Sequence, residues 1–458
     1  MVQVPSGMTV VVGLGVSGRA ICRHLARNDT PFMVVDTRDV PPDLDAFCTA
    51  HPGIFVHCGP LTSVDFSHAH EVVISPGVDP RSPGLEEVAA RQNSITGEPV
   101  LVGEMALFTR ATKAPVAAIT GSNAKSTVTT LLGDMAAAAG LSVAVGGNLG
   151  TAALDLLAEH PDADLYVLEL SSFQLETTPF LGAAAAAFLN ICEDHLDRHG
   201  DIKGYQQAKQ RIFLGAQHVI VNADDPLTWP TEEVPELVRF GSASSDIDWG
   251  LVINEGQVFL AHGHVPWLNV DELAIAGQHN YVNALAALAM GNALGLAREP
   301  MCDALRAFKG LPHRSEVVSR INGVTWVNDS KGTNVGATLA AIKGISATLK
   351  GKLILLAGGV GKGADFTPLA EPLRECGRGA LLFGVDAPRL LDALAPSLPV
   401  LLVSDLNQAM EAAWEMAEPG DCVLLSPACA SLDQFPNYLV RGEAFRHWIM
   451  DKQEEVNV

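Results

Sequence analysis

Short apolar runs recur along the chain at 10–12, 34–35, 72–74, 116–119, 166–168, 219–221, 353–356, 380–383 and 422–425, and most are followed at once by glycine, serine or asparagine. Alanine- and leucine-rich stretches of helical length separate many of them. Strands without polar alternation are covered on both faces, and a helix between successive strands makes them parallel. The pattern therefore predicts repeated βαβ units and an α/β fold built on mainly parallel sheets. Within 240–270 it changes to short alternating segments at 249–253 and 258–260, which predicts antiparallel hairpins. Helices are expected over 128–138, over 205–213 and from Asn280 onward. At roughly 150 residues per domain, a chain of 458 predicts three domains. The breaks fall before the strand at 116 and after the long helix, giving domains 1–103, 104–310 and 311–458.

Composition narrows the function. Lys and Arg total 30 against 52 Asp and Glu, a net charge of −22 that repels nucleic-acid backbones and anionic lipid. No nucleic-acid partner is expected. Hydrophobic residues at 48% and charged ones at 18% supply large cores and exclude wholesale disorder. The most apolar stretch, 181–191 with its five consecutive alanines, is well short of the roughly 20 residues a membrane span needs, so none is expected. The N-terminus has no basic segment followed by an apolar one, and the eight cysteines form neither CxxC pairs nor a dense framework. A cytoplasmic location and a monomer are the expectation.

Polar residues gather where apolar runs end. Gly13-Leu14-Gly15-Val16-Ser17-Gly18 follows the first strand, and Asp36 ends the next, 21 residues beyond Gly15. Glycines there let the backbone approach a diphosphate, the helix N-terminus offers free N–H groups, and the carboxylate accepts from a sugar or base. Taken alone, this predicts an NAD-dependent dehydrogenase. A second loop, Gly121-Ser122-Asn123-Ala124-Lys125-Ser126-Thr127, lies between a strand and a helix. Its amides suit phosphate, Lys125 neutralises charge and Ser126 offers a hydroxyl to Mg²⁺. The loop departs from GxxxxGK[ST], with Ala118 and Ala124 in place of glycine. Alanine at 124 predicts an ordinary φ there, leaving Gly121 and Asn123 to take the unusual conformations.

Glu169 ends a strand of the sheet that carries this loop, a position suited to holding Mg²⁺. In Glu193-Asp194-His195-Leu196-Asp197, His195 and His199 are four apart, but HLDRH lacks the glutamate of HExxH, which argues against zinc hydrolysis. On a helix over 205–213, Lys209 shares the apolar face of Tyr205, Ala208, Ile212 and Phe213. A buried amine there calls for a partner or a modification, the alternative being a side chain that snorkels to water. Asn280 and Asn283 open an alanine-rich helix, either as caps or as amide edges for a base. His313-Arg314 and Asn328-Asp329-Ser330-Lys331-Gly332-Thr333-Asn334 complete the polar clusters.

Together with Val145-Gly146-Gly147-Asn148-Leu149-Gly150, the 168–176 run LELSSFQLE, the segment Asn190 to Arg198 and the 425–435 run LSPACASLDQF, these segments resemble the Mur ligase family of ATP-dependent amide-bond-forming enzymes over nearly the whole chain. The 168–176 and 426–431 runs resemble the D-glutamate-adding member, rather than those that add L-alanine, diaminopimelate or D-alanyl-D-alanine. The resemblance reassigns the first fingerprint to the UDP of a nucleotide sugar, with no NAD. It implies an N-terminal Rossmann-like UDP-binding domain, a central P-loop ATPase-like domain and a C-terminal Rossmann-like domain that closes over ATP and brings the amino acid. Implied contacts to UDP-N-acetylmuramoyl-L-alanine are Val16, Ser17, Asp36, Thr37, Arg38, Ser75, Gly77, Asn148, Ser171 and Gln174. Those to ATP are Gly121, Ser122, Asn123, Ala124, Lys125, Ser126, Thr127, Asn280, Asn283, Arg314 and Asp329. Those to D-glutamate are Thr333, Lys362, Ser431, Leu432 and Tyr438. Mg²⁺, or Mn²⁺ in its place, is implied on Ser126, Glu169, His195 and Lys209, with a CO₂-derived carbamate on Lys209. Catalytic roles fall to Lys125, Asn148, His195, Lys209 and Lys331. Departures from the family pattern are Val360 for aspartate, Gly332 for alanine, and Tyr438 at an aromatic position near the amino-acid pocket.

The implied reaction turns a substrate carboxylate into an acyl phosphate at the cost of ATP. The D-glutamate amine then attacks through a tetrahedral intermediate, giving amide, ADP and phosphate, in cytoplasmic peptidoglycan precursor synthesis. An unactivated carboxylate does not acylate an amine at neutral pH, so phosphate must become the leaving group, and cations must offset the meeting of two anions. An NAD or nucleotide-sugar oxidoreductase would leave Lys125, Glu169 and His195 without work. A non-catalytic P-loop protein would leave His195, Lys209 and Ser431 unexplained. The nearest alternative is another Mur-type or folylpolyglutamate-type amide ligase.

Overall fold

In the computed structural model, which describes residues 1–242, 247–275, 277–346 and 349–457, the chain forms two compact units. The first comprises Met1–Asn190, Gln206–Asn269 and Ala284–Leu305; the second comprises Ile191–Tyr205, Val270–Asn283 and Arg306–Val458.

The first unit holds two main sheets. In one, the strands Val56–Cys58, Phe32–Asp36, Thr9–Val12, Glu71–Ile74 and Leu101–Gly103 lie in that order, all parallel. In the other the order is Val265–Asn269, Gln257–His262, Trp249–Asn254, Leu237–Phe240, His218–Asn222, Ala185–Phe188, Val116–Thr120, Leu165–Glu169 and Val143–Gly147. Its first two pairings are antiparallel and the rest parallel. The hairpins expected at 249–253 and 258–260 are thus an antiparallel edge on a parallel sheet; residues 243–246 of that stretch lie outside the described residues. Thr9–Val12, Phe32–Asp36, Val116–Thr120, Leu165–Glu169 and Ala185–Phe188 are buried at every position, the burial that unbroken apolar runs predict.

The second unit is built on the order Glu316–Ile321, Val324–Asn328, Cys422–Leu425, Leu353–Gly358, Gly377–Phe383 and Val400–Leu402, antiparallel only at the first pair. Its strands feed two cores in alternation. Leu353, Leu355 and Leu424 pack with Leu369 and Leu390, whereas Ile354, Leu356 and Leu425 pack with Trp326 and Phe445. Among the described residues no helix is long and apolar enough to cross a membrane.

The mixed α/β architecture is the one predicted, and parallel sheets concentrate chemistry at the carboxyl ends of their strands. The 13–18 loop follows Thr9–Val12, the 121–124 turn follows Val116–Thr120, and Glu169 ends its own strand. In the second unit Asp329 follows Val324–Asn328 and Ser426 follows Cys422–Leu425. The first of these loops requires close packing. A Cβ on Gly18, in the first turn of the helix Val16–Arg27, would lie 1.8 Å from the Gly13 carbonyl oxygen and 2.8 Å from Ser75 Oγ. Gly18→Ala is therefore expected to destabilise the protein by about 3 kcal/mol, the upper end of overpacking. Calorimetry should show the first thermal transition about 5–10 °C lower; an unchanged transition would refute this packing account.

Candidate active site

At the first fingerprint, Gly13 takes φ 92 and its carbonyl accepts the Ser75 hydroxyl at 2.7 Å. Asp36 is fully occupied: Oδ2 accepts the Leu14 amide at 2.7 Å, and both oxygens accept from the Arg38 guanidinium at 2.8 and 2.6 Å. Burial alone would raise the Asp36 pKa, but the Arg38 guanidinium and the Leu14 and Arg38 amides overcome it and hold the carboxyl below its usual range. Asp36 thus fixes the loop as a permanent anion, while Val16, Thr37 and Gly77 stand exposed and Ser17 half-buried.

The phosphate loop is clamped from the side by Asn190. Its Oδ1 accepts the Asn123 amide at 2.9 Å, its Nδ2 donates to the Asn123 carbonyl at 3.2 Å, and its own carbonyl accepts the Ser122 amide at 2.9 Å. Lys125 Nζ folds back onto the Gly121 and Ser122 carbonyls at 2.8 and 3.0 Å. Ala124 overturns an expectation: it carries the left-handed conformation, φ 66 and ψ −6, as N-cap of the helix Lys125–Ala138, and neither Gly121 nor Asn123 has a positive φ. The turn from strand to helix still needs one left-handed residue at the position where the P-loop pattern has glycine, and alanine absorbs the strain. Gly121 answers to packing instead, since a Cβ there would sit 3.2 Å from Leu189 Cβ and the Asn123 carbonyl.

Glu169 joins this loop to the next strand. Its Oε2 accepts the Ser126 hydroxyl at 2.6 Å and its Oε1 the Asn148 amide at 2.7 Å. Lys209 is buried at 1% exposure, and its Nζ donates to the Gly121 carbonyl at 2.8 Å and the Thr120 hydroxyl at 3.2 Å. Its helix is Ile202–Gln210, followed by a 3₁₀ turn at Arg211–Phe213. Ser171 and Gln174 form a capping box on Ser172–Glu176.

In the second unit, His195 takes φ 54 as N-cap of Leu196–His199, with Nε2 3.6 Å from Asp194 Oδ2. Asp194 accepts Lys362 Nζ at 2.8 Å and Asn334 Nδ2 at 3.4 Å. Burial would raise its pKa; Lys362 and His195 outweigh that and hold it below the usual range. Thr333 and Lys362 line one small cleft with Asp194 and Asn334. Leu432 lies on the surface at 71% exposure, Ser431 is buried, and Tyr438 presents its ring to the Lys331 ammonium at 4.1 Å. Asn280 and Asn283 face each other at the start of Gln278–Ala293, amide to amide at 3.5 Å. Asp329 accepts the Ser315 amide and the Ser426 hydroxyl, and burial pushes its pKa up to about 6 against those donors. The glycine at 332 follows from this bond: a Cβ there would stand 2.6 Å from both Asp329 Oδ2 and Ser426 Oγ. Val360 forms a two-way backbone bridge with Ala430, 2.9 Å each way.

Sequence reasoning missed Arg441 as a site-forming residue, and gave Asn190 no role beyond opening the segment Asn190 to Arg198. Arg441, fully buried, donates to the carbonyls of Ser330 and Cys429 and reaches that of Gly358, so one guanidinium secures three motif loops. The available signal was a lone arginine in the apolar first turn of the helix Tyr438–Asn457.

Three family models match in chain order: the Mur ligase MurD-like N-terminal domain over 7–97, the Mur ligase middle domain over 119–291 and the Mur ligase glutamate ligase domain over 313–429. The chain belongs to the Mur ligase family. It is 60% identical to UDP-N-acetylmuramoylalanine–D-glutamate ligase of Chromohalobacter salexigens over 98% of each chain. The Pseudomonas aeruginosa enzyme of the same name is 51% identical over 95% of this chain and 96% of that one. A solved MurF ligase of Thermotoga maritima, in complex with ADP, shares the fold with a TM-score of 0.61 at 18% identity, covering 99% of this chain and 96% of that one. The resemblance carried by the strand-end motifs is thus membership of the Mur ligases, with their N-terminal, middle and C-terminal parts in sequence order.

In this Mur ligase the strain at Ala124 is directly measurable. A left-handed alanine costs about 1–2 kcal/mol that glycine does not, against a smaller entropic loss. Ala124→Gly is expected to raise the thermal transition by about 2–4 °C. A lowered transition would show that the turn does not hold the alanine under strain.

Proposed function

We propose that this Mur ligase joins D-glutamate to the carboxylate of UDP-N-acetylmuramoyl-L-alanine, with ATP converted to ADP and phosphate, in cytoplasmic peptidoglycan precursor synthesis. The observation that carries the reading is identity of 60% across 98% of both chains to an enzyme named for that reaction. Ser126 and Glu169 suit Mg²⁺, a cation that prefers oxygen: a hydroxyl and a carboxylate already meet at 2.6 Å beside the phosphate loop. Bound there, Mg²⁺ supplies neutralisation of the γ-phosphate charge as the carboxylate approaches it. The amides at the start of the helix Lys125–Ala138 donate to phosphate oxygens, and Lys125 exchanges the Gly121 and Ser122 carbonyls for them. Asn148, bonded to Glu169, orients that carboxylate. Lys362 already pairs with a carboxylate, Asp194, which supports assigning a D-glutamate carboxylate to its cleft with Thr333.

The test is phosphate release with UDP-N-acetylmuramoyl-L-alanine and a panel of amino acids. D-glutamate alone is expected to give rapid turnover; equal turnover with L-alanine or diaminopimelate would overturn the assignment.

Lys209 has the second role. An ammonium beside Mg²⁺ is repulsive, and a lysine amine titrates near 10.4 in water. Addition of CO₂ to the neutral amine forms an N–C bond, releases one proton and leaves a carbamate, an anionic oxygen donor. Burial favours the neutral amine that this requires. Lys209→Ala is expected to lower kcat by more than about 100-fold, with part of the loss restored by added short-chain carboxylic acid. Full activity of Lys209→Ala without any added acid would exclude the carbamate.

A further inference from the structure

The reading above asks one substrate to touch two sheets. Its diphosphate belongs at the 13–18 loop of one sheet, whereas Asn148 and Ser171 follow the strands Val143–Gly147 and Leu165–Glu169 of the other. A carboxylate carried at the far end of that substrate meets the phosphate loop only if the two sheets keep a fixed spacing. That spacing is set where the helix Ala153–Glu159 packs on Val16–Arg27 and on Glu104–Ala111. Arg23 Nε donates to Asp155 Oδ1 at 2.9 Å and Arg23 Nη2 donates to Asp155 Oδ2, a two-pronged bond across 132 positions. Arg27, one turn further along the same helix, stands 3.7 Å from Oδ1. A second bond comes from the neighbouring helix, where Glu104, buried at 1% exposure, accepts the Leu154 amide on Oε1 at 3.1 Å.

We propose that Arg23 and Asp155 are positioning residues: their paired bond fixes the 13–18 loop relative to Asn148 and the phosphate loop, so that a substrate held by its diphosphate presents its carboxylate in register with ATP. This rests on the reading of UDP-N-acetylmuramoyl-L-alanine as the substrate.

Each end of the pair leads into a site through stiff chain. Arg23 lies six residues beyond Ser17 on a single helix, about 9 Å along its axis. Asp155 is the third residue of its own helix, and the turn before that helix is closed by the Gly147 amide on the Thr151 carbonyl at 2.9 Å. The turn carries Asn148, whose side-chain amide donates to Glu169 Oε1 at 2.7 Å and whose backbone N–H donates to the Glu169 carbonyl at 2.8 Å. Glu169 in turn accepts the Ser126 hydroxyl beside the phosphate loop. The chemistry of the pair favours orientation over stability. Both side chains are half-buried, and an ion pair in that setting contributes little to folding. A bidentate guanidinium–carboxylate pair nevertheless restricts angle as well as distance, which the point charge of a lysine would not. A misplacement on the order of 1 Å between reacting groups costs up to about 100-fold in rate, so a contact of small weight in stability has a large one in turnover.

The experiment pairs calorimetric binding with phosphate release for the full chain and for Asp155→Ala, Arg23→Ala, their double variant and Arg23→Lys. UDP alone probes the 13–18 loop, and UDP-N-acetylmuramoyl-L-alanine probes both sheets at once. Asp155→Ala is expected to bind UDP within about twofold of wild type and to keep its KM for ATP, while kcat falls by about 10- to 100-fold. Its thermal transition should stay within about 4 °C of wild type. The double variant should lose no more than either single one, since both remove the same contact. Arg23→Lys should lose part of kcat although its charge remains, and it carries the test if the alanine variants do not fold. Full kcat in Asp155→Ala or in Arg23→Lys, additive losses in the double variant, or a loss of UDP affinity as large as the loss of kcat overturns the proposal. A wild-type chain that binds UDP-N-acetylmuramoyl-L-alanine no more tightly than UDP and does not turn it over would instead overturn the substrate reading on which it stands.

Discussion

A loop that presents amides to an anion cannot satisfy its remaining backbone groups through a sheet or a helix, so other parts of the chain must hold it from behind. In this protein that task falls to buried and half-buried polar side chains distant in sequence. Asn190 grips the phosphate loop across 67 positions, Ser75 holds the Gly13 carbonyl across 62, and Arg441 reaches Ser330 across 111. Each such group is hydrogen-bonded to the loop it holds, away from most of the solvent, where a satisfied network is rigid and a broken one costly. The geometry of the strand-end loops therefore depends on residues far from them in sequence.

The same low dielectric sorts the buried carboxyls into two kinds. Asp36 and Asp194 each face a cation at contact distance, Arg38 and Lys362, and stay charged below their usual range. Glu104 and Asp329 are held by amides and hydroxyls instead, and burial carries them up to about 7 and about 6. Their linkage to stability has opposite signs. The stabilisation from Asp36 and Asp194 is present above the unfolded pKa and is lost as pH falls through their depressed values. That from Glu104 and Asp329 is present below the unfolded pKa and is lost as pH rises through about 6 and 7. The two kinds meet in mildly acidic solution, while near neutrality the first pair is fixed and the second still titrates.

The strands were legible because an interior parallel strand has only one way to appear in sequence: apolar on both faces and closed by a residue that permits a turn. The phosphate loop, Glu169 and Lys209 were legible for a related reason, as polar groups at the ends of such runs or on an apolar helical face. Ala124 was misread because a local rule, that alanine avoids positive φ, met a turn whose geometry the flanking strand and helix impose. The roles of Asn190, Arg441 and Glu104 were not legible, since what distinguishes them is a partner more than twenty positions away. Gly332 was read as a departure from the family pattern, and its cause, the Asp329 to Ser426 hydrogen bond, exists only once two strands lie side by side.

A net charge of −22 sets this arrangement against the protein's own long-range field, because ATP, the nucleotide sugar and D-glutamate are all anions. At physiological ionic strength that field fades over about 8 Å, so it weighs on the encounter more than on the bound state. Inside the loops the balance reverses. Backbone amides carry no net charge to be screened, and Lys125 and Lys362 stand partly buried with carbonyl or carboxylate partners that, in the reading proposed above, an incoming anion replaces. Recognition at such short range is indifferent to the acidic surface. The chain can therefore remain strongly acidic while binding three anionic substrates, provided the few cations and amides that meet them are held in place by the buried network behind the loops.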